Sequence, residues 1–190
     1  MNAKVSVVIP AFNAQEWIGR TLRTCQSQTY TNIEIVVVDD GSTDGTCREI
    51  SHQLKSMQSP IRIIRTKNNG VSHARNLGIR KSTGEYVAFL DADDFWHPKK
   101  LEHQVALIEA SSVLVAVGCS YALVNRAGEC VRSRSPVLDH SYMREWLLAK
   151  APGPLLPSTL LVRRSVVESG CWFDERLGTL ADIDFALRLM

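Results

Sequence analysis

"IEIVVVDDGSTDGT", residues 33–46, is a β-branched apolar run that halts at two acids and then turns through glycine, serine and threonine. A run that is apolar throughout, with no alternation, suits a strand covered on both faces, as in a parallel sheet. Beyond it Cys47, Ile50, Leu54 and Met57 recur at helical spacing. The unit is a buried strand with an acidic tip, followed by a helix.

Outward from this stretch the same unit repeats. "KVSVVIP" (4–10), "IRIIRT" (61–66) and "EYVAFLDADD" (85–94) read as further buried strands. Between them, Ile18, Leu22 and Cys25 predict a helix behind an Asn13 cap with Glu16 three residues on, and Ala74 and Leu77 predict another that stops at Gly84. The order βαβαβαβ predicts an α/β fold: a doubly wound, mostly parallel mixed sheet with helices on both faces, its ligands bound beyond the carboxyl ends of the strands.

The second half is looser. The spacing predicts a helix over 98–110 opening at Pro98, a strand near 113–124, a turn at "NRAGE", a helix over 140–150, a rigid loop over 151–157 and a strand over 158–164. A last helical pattern in "LADIDFALRLM" meets residue 190 without a capping signal, so we expect the natural polypeptide to continue. No linker or repeat divides the 190 residues, and one domain is expected.

Composition narrows the function classes. Against 22 basic side chains stand 20 acidic ones, a balance that gives no footprint for nucleic acid. Five cysteines without a CxxC suggest neither a disulfide framework nor a zinc ribbon, and fit a reducing cytoplasm. The longest apolar run, "VLVAVGCSYALV", falls short of the ~20 residues of a membrane span. There is no GxGxxG, P-loop, GxSxG or HExxH.

Four groups of residues can carry chemistry. Asp39 and Asp40 end a strand beside Gly41; they suit hydrogen bonds to a base or ribose, and equally a helix cap. "DADD" crowds Asp91, Asp93 and Asp94. Two unit charges a few ångströms apart repel by roughly 1 kcal/mol in water and about 4 at an effective dielectric of 20. The cluster is therefore a solvated turn or the hard-oxygen site of a divalent cation. In extended geometry Asp91 and Asp93 face the same way. Gly70 and Arg75 in "NNGVSHARNLG" offer a turn and a guanidinium suited to phosphate, or a plain surface arginine; His73 reads as structural or solvated. Asp182 and Asp184 open the last helix, where the dipole favours acids and where one carboxylate can also serve as a general base.

Together, "VSVVIPAFNAQEWIGRTLRTCQSQTYTNIEIVVVDDGSTDGT", "NNGVSHARNLGIRKSTGEYVAFLDADDFWHP" and "STLLVRRSVVESGCWFDERLGTLADIDFALRL" resemble the inverting, GT-A-fold glycosyltransferases of family two. The resemblance implies a nucleotide-binding half over 1–110 and an acceptor-side half over 111–190. It implies a nucleotide loop at Pro10, Ala11, Phe12 and Asn13, an acid at Asp39 that meets a uracil or thymine imide, and a nucleotide contact at Arg75. Asp91 and Ala92 fall towards the ribose, Asp93 on Mn²⁺ or Mg²⁺ with Asp91 beside it, and Asp182 on the catalytic base. Asp94 lies outside the DxD, and we expect local hydrogen bonds or a salt bridge to hold it, with Phe95, Trp96 and Pro98 fixing the loop.

The implied donor is a UDP-sugar and the acceptor a glycan, a lipid-linked glycan or a protein, with the enzyme in the cytoplasm or peripheral to the inner membrane face through further C-terminal sequence. Ala181 departs from the family, which usually has Glu before the base. That departure keeps a non-catalytic nucleotide-sugar-binding domain in view. A sugar nucleotidyltransferase is a weaker competitor, because "PAFNAQEW" is no glycine-rich basic loop.

Overall fold

The computed structural model describes residues 3–55, 59–135 and 156–189. The expected helix over 140–150, the loop over 151–155 and the Met57 position of the second helix lie outside the described residues.

Four parallel strands, β1 (Val5–Ala11), β2 (Ile33–Asp39), β3 (Ile61–Arg65) and β4 (Tyr86–Phe89), form most of a six-stranded sheet in the order β3-β2-β1-β4-β8-β5. β8 (Leu161–Arg163) runs antiparallel to both β4 and β5 (Ala116–Val117), which makes the sheet mixed. Helices α1 (Ile18–Gln26), α2 (Thr46–Leu54), α3 (Val71–Lys81) and α4 (Lys100–Glu109) follow the first four strands, and α5 (Arg164–Glu168) and α6 (Ala181–Arg188) close the chain. The chain steps outward from β1 to β3 and then returns to β4 on the other side of β1. Strand order therefore reverses between β1 and β4, where a cleft opens in folds of this kind.

Alternation along β1 divides the core. Val5, Val7 and Ile9 pack with Ile18 and Leu22 of α1 and with Leu101, Val105 and Ile108 of α4. Val8, one step out of phase, packs with Ile79 of α3 and with Phe89, Phe173 and Phe185. Phe89 meets the other two rings edge-on at 5.2 and 5.7 Å, and those two stack at 4.1 Å. This aromatic knot fastens α6 beneath the carboxyl end of β4.

Several expectations are corrected. Asn13 caps no helix: it takes a left-handed φ of 49°, and α1 begins five residues later without a side-chain cap. Pro98 lies in a turn before α4. The strand expected over 113–124 is two: β5, and β6 (Tyr121–Val124), which pairs with β7 (Cys130–Arg134) in a separate hairpin around the "NRAGE" turn. Residues 157–159 form a 3₁₀ turn in place of the first part of the strand over 158–164. Among the described residues no helix is long and apolar enough to cross a membrane.

Candidate active site

Four loops meet at the carboxyl edge of the sheet. Those after β1 and β2 are stitched together: Asn13 N–H donates to Ser42 Oγ at 3.0 Å, Thr43 N–H donates to Asn13 Oδ1 at 2.9 Å, and Ala14 N–H donates to Thr46 Oγ1 at 2.8 Å. Asn13 thus works across the cleft floor, and its left-handed backbone, which Asn tolerates better than most residues, lets it do so. Phe12, half exposed at 50 %, projects from this floor.

The two acids at the tip of β2 part company. Asp39 is 0 % exposed; its Oδ1 accepts from Ser42 N–H at 2.9 Å, and its Oδ2 accepts from the Cys47 thiol at 2.7 Å and lies 3.4 Å from Arg65 Nε. Burial alone pushes this carboxyl up, but the bonds from Cys47 and Ser42 and the Arg65 charge outweigh it and hold the group below its usual range. Asp39 therefore does not reach the cleft surface, contrary to the expected imide contact. Asp40 borders a slot of about 200 Å³ together with Pro10, Ala11, Phe12, Asn68, Gly70, Val71 and Ala74. Its carboxylate accepts from Asn69 N–H at 3.0 Å and Gly70 N–H at 2.8 Å, which anchors the approach to α3. Gly70 needs its φ of 93° to turn the chain there.

At the end of β4 the extended geometry stops at Phe89, and Asp94 N–H donates back to Asp91 O at 3.0 Å to close a turn. Asp91 and Asp93 are therefore brought together by a turn, not by strand alternation. Both line a hollow of about 350 Å³ with Pro10, Phe12, Asn13, Trp17 and Val71. The loop is fixed from below: Thr21 Oγ1 donates to Ala92 O at 2.7 Å, Asp91 N–H donates to Ser158 Oγ at 3.0 Å, and Trp96 Nε1–H donates to Ser158 O at 2.8 Å. Asp94 behaves as scaffold. Burial raises its carboxyl, a hydrogen bond with Ser158 opposes that, and the Asp91 and Asp93 charges raise it further.

Arg75 joins this loop to the end of the chain. Its guanidinium is 2 % exposed and donates through Nη2 to Asp91 Oδ1 at 2.7 Å and through Nη1 to Asp182 Oδ1 at 2.5 Å. Asp182 remains about one-third exposed, with burial raising its carboxyl, Arg75 lowering it, and Asp91 raising it again; the net direction is up. The next residue, Asn76, grips the segment before α6: its Nδ2–H donates to Phe173 O at 2.8 Å and its Oδ1 accepts from Phe173 N–H at 3.0 Å. His73 lies 3.1 Å from Glu175 and so joins the same anchor. Asp184 pairs with Arg188 at 2.6 Å, so Asp182 is the acid of α6 that is tied to Asp91 through Arg75. Sequence reasoning missed Asn76, Ser158 and Thr21; of these, only Asn76 carried a signal, through its adjacency to Arg75.

No cluster of three or more His, Cys, Asp or Glu side chains gathers for a metal among the described residues. The donor set still fits a hard cation of the Mg²⁺ or Mn²⁺ kind. Such an ion takes one or two carboxylates from the protein and its remaining ligands from substrate phosphates and water. Asp93 is exposed and makes no hydrogen bond or ion pair among the described residues, and the second oxygen of Asp91 is likewise open.

Comparison with known proteins identifies the family and the fold. The profile of the family described as Glycosyl transferase family 2 matches residues 6–169. The amylovoran biosynthesis glycosyltransferase AmsB of Erwinia amylovora is 34 % identical over 96 % of this chain and 62 % of its own length. The UDP-Glc:alpha-D-GlcNAc-diphosphoundecaprenol beta-1,3-glucosyltransferase WfaP of Escherichia coli is 35 % identical over 75 % of this chain and 56 % of its own. A glycosyltransferase of Rickettsia bellii, 38 % identical, is matched over 19 % of its length, so the chain spans only part of these relatives. Among solved structures, the mannosyltransferase PcManGT of Pyrobaculum calidifontis, in complex with GDP-Man and Mn²⁺, superposes with a TM-score of 0.77 at 23 % identity, over 100 % of this chain and 52 % of that one. S. aureus TarS 1-349 with UDP gives 0.75 at 22 % identity, over 98 % of this chain and 54 % of that one. The sheet is that of the GT-A glycosyltransferases.

Proposed function

The chain belongs to glycosyl transferase family 2, and from that premise we propose that its cleft takes a nucleoside-diphosphate sugar, a UDP-sugar first, and passes the sugar with inversion to an acceptor hydroxyl in polysaccharide or lipid-linked glycan synthesis. The observation that carries the reading is an open carboxylate pair, Asp91 and Asp93, lining one hollow and tied through Arg75 to the partly exposed carboxylate of Asp182. The names of the similar proteins support the donor class: one uses UDP-Glc, one was solved with UDP and one with GDP-Man and Mn²⁺.

In this reading the base slides into the slot over Phe12, between Pro10, Ala11 and Gly70, with Asp40 as the acid at its wall. Asn13 holds the slot's two loops together, and Asp39 braces it from beneath. Asp91 and Ala92 sit towards the ribose, and Asp93 with Asp91 would hold Mn²⁺ or Mg²⁺. When bound, that cation supplies positive charge to the diphosphate that leaves. The acceptor hydroxyl attacks the anomeric carbon as the bond to the diphosphate oxygen breaks, and Asp182 accepts the hydroxyl proton at Oδ2, the oxygen that Arg75 leaves open. A pKa raised from the ordinary carboxylate value suits a base at neutral pH. One displacement inverts the anomeric configuration.

A second reading, a donor-binding module that does not transfer, draws on Ala181, which is fully buried and leaves Asp182 without an acidic neighbour on its N-terminal side. One experiment separates the two. The full polypeptide is incubated with a panel of nucleotide sugars, Mn²⁺ and lipid-linked or free glycan acceptors. Transfer of the sugar with inverted anomeric configuration supports the first reading; donor binding without transfer or hydrolysis supports the second.

A further inference from the structure

We propose that Arg75 is a positioning residue: one guanidinium holds Asp182 for the acceptor through Nη1 and Asp91 for the donor through Nη2, so that a single side chain sets the spacing of the cleft's two halves. The inference rests on Asp182 as the base.

The family resemblance implies a nucleotide contact for Arg75, and the geometry points elsewhere. The guanidinium is 2 % exposed and, unlike the similarly buried Asp40, borders neither the slot at Gly70 nor the hollow at Asp93. Its two terminal nitrogens face two carboxylates that are 16 and 107 residues away in sequence, at 2.7 and 2.5 Å. Its Nε is buried without a partner, so the two terminal nitrogens carry all of its hydrogen bonds among the described residues. A buried cation is kept only where charges satisfy it, and here both partners are functional carboxylates.

The fork cannot swing easily. The Phe173 ring lies 5.1 Å from its centre, and Phe173 is itself clamped at N–H and C=O by Asn76, the next residue on α3. The consequence is directional. Arg75 takes Oδ1 of each acid and leaves Oδ2 of each without a hydrogen bond among the described residues. A lysine, which offers a point charge in place of a planar fork, cannot hold both at once.

The test uses the full polypeptide, with UDP release from UDP-glucose, UDP-galactose and UDP-N-acetylglucosamine in Mn²⁺ and water as acceptor, and with UDP affinity from calorimetry. Arg75→Gln is expected to lower kcat by about 100-fold while UDP affinity and donor KM, which feel only the lost hold on Asp91, change by no more than about tenfold; Arg75→Lys recovers at most about a tenth of the lost rate. In an Asp182→Asn background, Arg75→Gln is expected to change the residual rate by less than about tenfold, the part that runs through Asp91, because the rest of its effect runs through the missing base. Melting curves accompany each variant; if Arg75→Gln does not fold, Arg75→Lys carries the same division between kcat and KM.

UDP affinity that falls in step with turnover makes Arg75 a nucleotide contact and overturns the proposal. Full additivity with Asp182→Asn overturns it too, yet leaves the base assignment standing. An unsubstituted protein that releases no UDP, or an Asp182→Asn variant that keeps its turnover, instead removes the base reading and takes this inference with it.

Discussion

Two carboxylates at opposite ends of the same sheet show how one residue type serves structure and chemistry. At the amino edge, Glu34 Oε1 accepts from Ser6 Oγ at 2.7 Å, Thr83 N–H at 2.5 Å and Gly84 N–H at 3.1 Å, while Lys4 lies 3.1 Å from Oε2. At the carboxyl edge, Asp182 has Arg75 alone among the described residues. Burial pushes both groups up, yet the donors around Glu34 outweigh it and bring that group to about 2, whereas Asp182 ends above its ordinary value. A carboxylate surrounded by donors is committed to the fold; one with an oxygen left over is available for a proton.

The largest expected effect tests the carboxyl edge. Asp182→Asn should lower turnover by about 10²–10⁴-fold with a melting midpoint near that of the parent, measured by UDP release and calorimetry. A variant that loses stability and keeps its rate would make Asp182 a second Glu34 and end the comparison.

Glu34→Gln should do the reverse and cost on the order of 3 kcal/mol in a denaturant titration, with the rate per folded molecule unchanged. The pH dependence follows from the same contrast. Glu34 titrates lower in the folded chain, so its contribution is complete above the unfolded pKa near 4.5 and is lost as pH falls towards about 2. Asp182, raised in the fold, acts with opposite sign, and its contribution to stability is complete below 3.8 and declines as pH rises through its raised pKa. Acid titration of the parent and of Glu34→Gln should therefore converge at low pH.

Gly84→Ala probes the same edge more gently. A Cβ there would meet Ser6 Oγ at 2.5 Å and the Lys4 carbonyl oxygen at 2.7 Å, and the strain should cost about 1–3 kcal/mol, visible as a lowered denaturation midpoint with donor affinity intact. The smallest effect belongs to the donor slot. Phe12→Ala removes an exposed ring that can stack on a base and should weaken UDP by about 1 kcal/mol, roughly fivefold, with no loss of stability.

The first half of the fold was legible because each strand is a β-branched run, three of the four with an acidic or proline tip; β3, expected buried, is instead a partly exposed edge strand. The second half was not legible in this way. β5 has two residues, β8 pairs antiparallel with β4 from far along the chain, and Ser158 sits in a 3₁₀ turn where an apolar run suggested a strand. The site divides the same way. The residue types at Asp91, Asp93, Arg75 and Asp182 were readable, whereas the partners of Arg75 depend on tertiary closure. Residue type alone did not separate Asp39 from Asp40, and the resemblance favoured Asp39; neighbours at a strand end point to opposite sides, and packing decides which one borders the slot. The turn at Asp91–Asp94 was misread as extended because the apolar run leading into it carries no stop signal before Asp91.

The central claim is that the carboxyl edge is a nucleoside-diphosphate site completed by a cation at Asp93. Calorimetric titration of UDP into the full polypeptide, with and without Mn²⁺, and into Asp93→Ala, tests it most directly. The account predicts binding that Mn²⁺ strengthens at least about tenfold and that Asp93→Ala returns to the metal-free level. UDP affinity indifferent to both Mn²⁺ and Asp93 would contradict it.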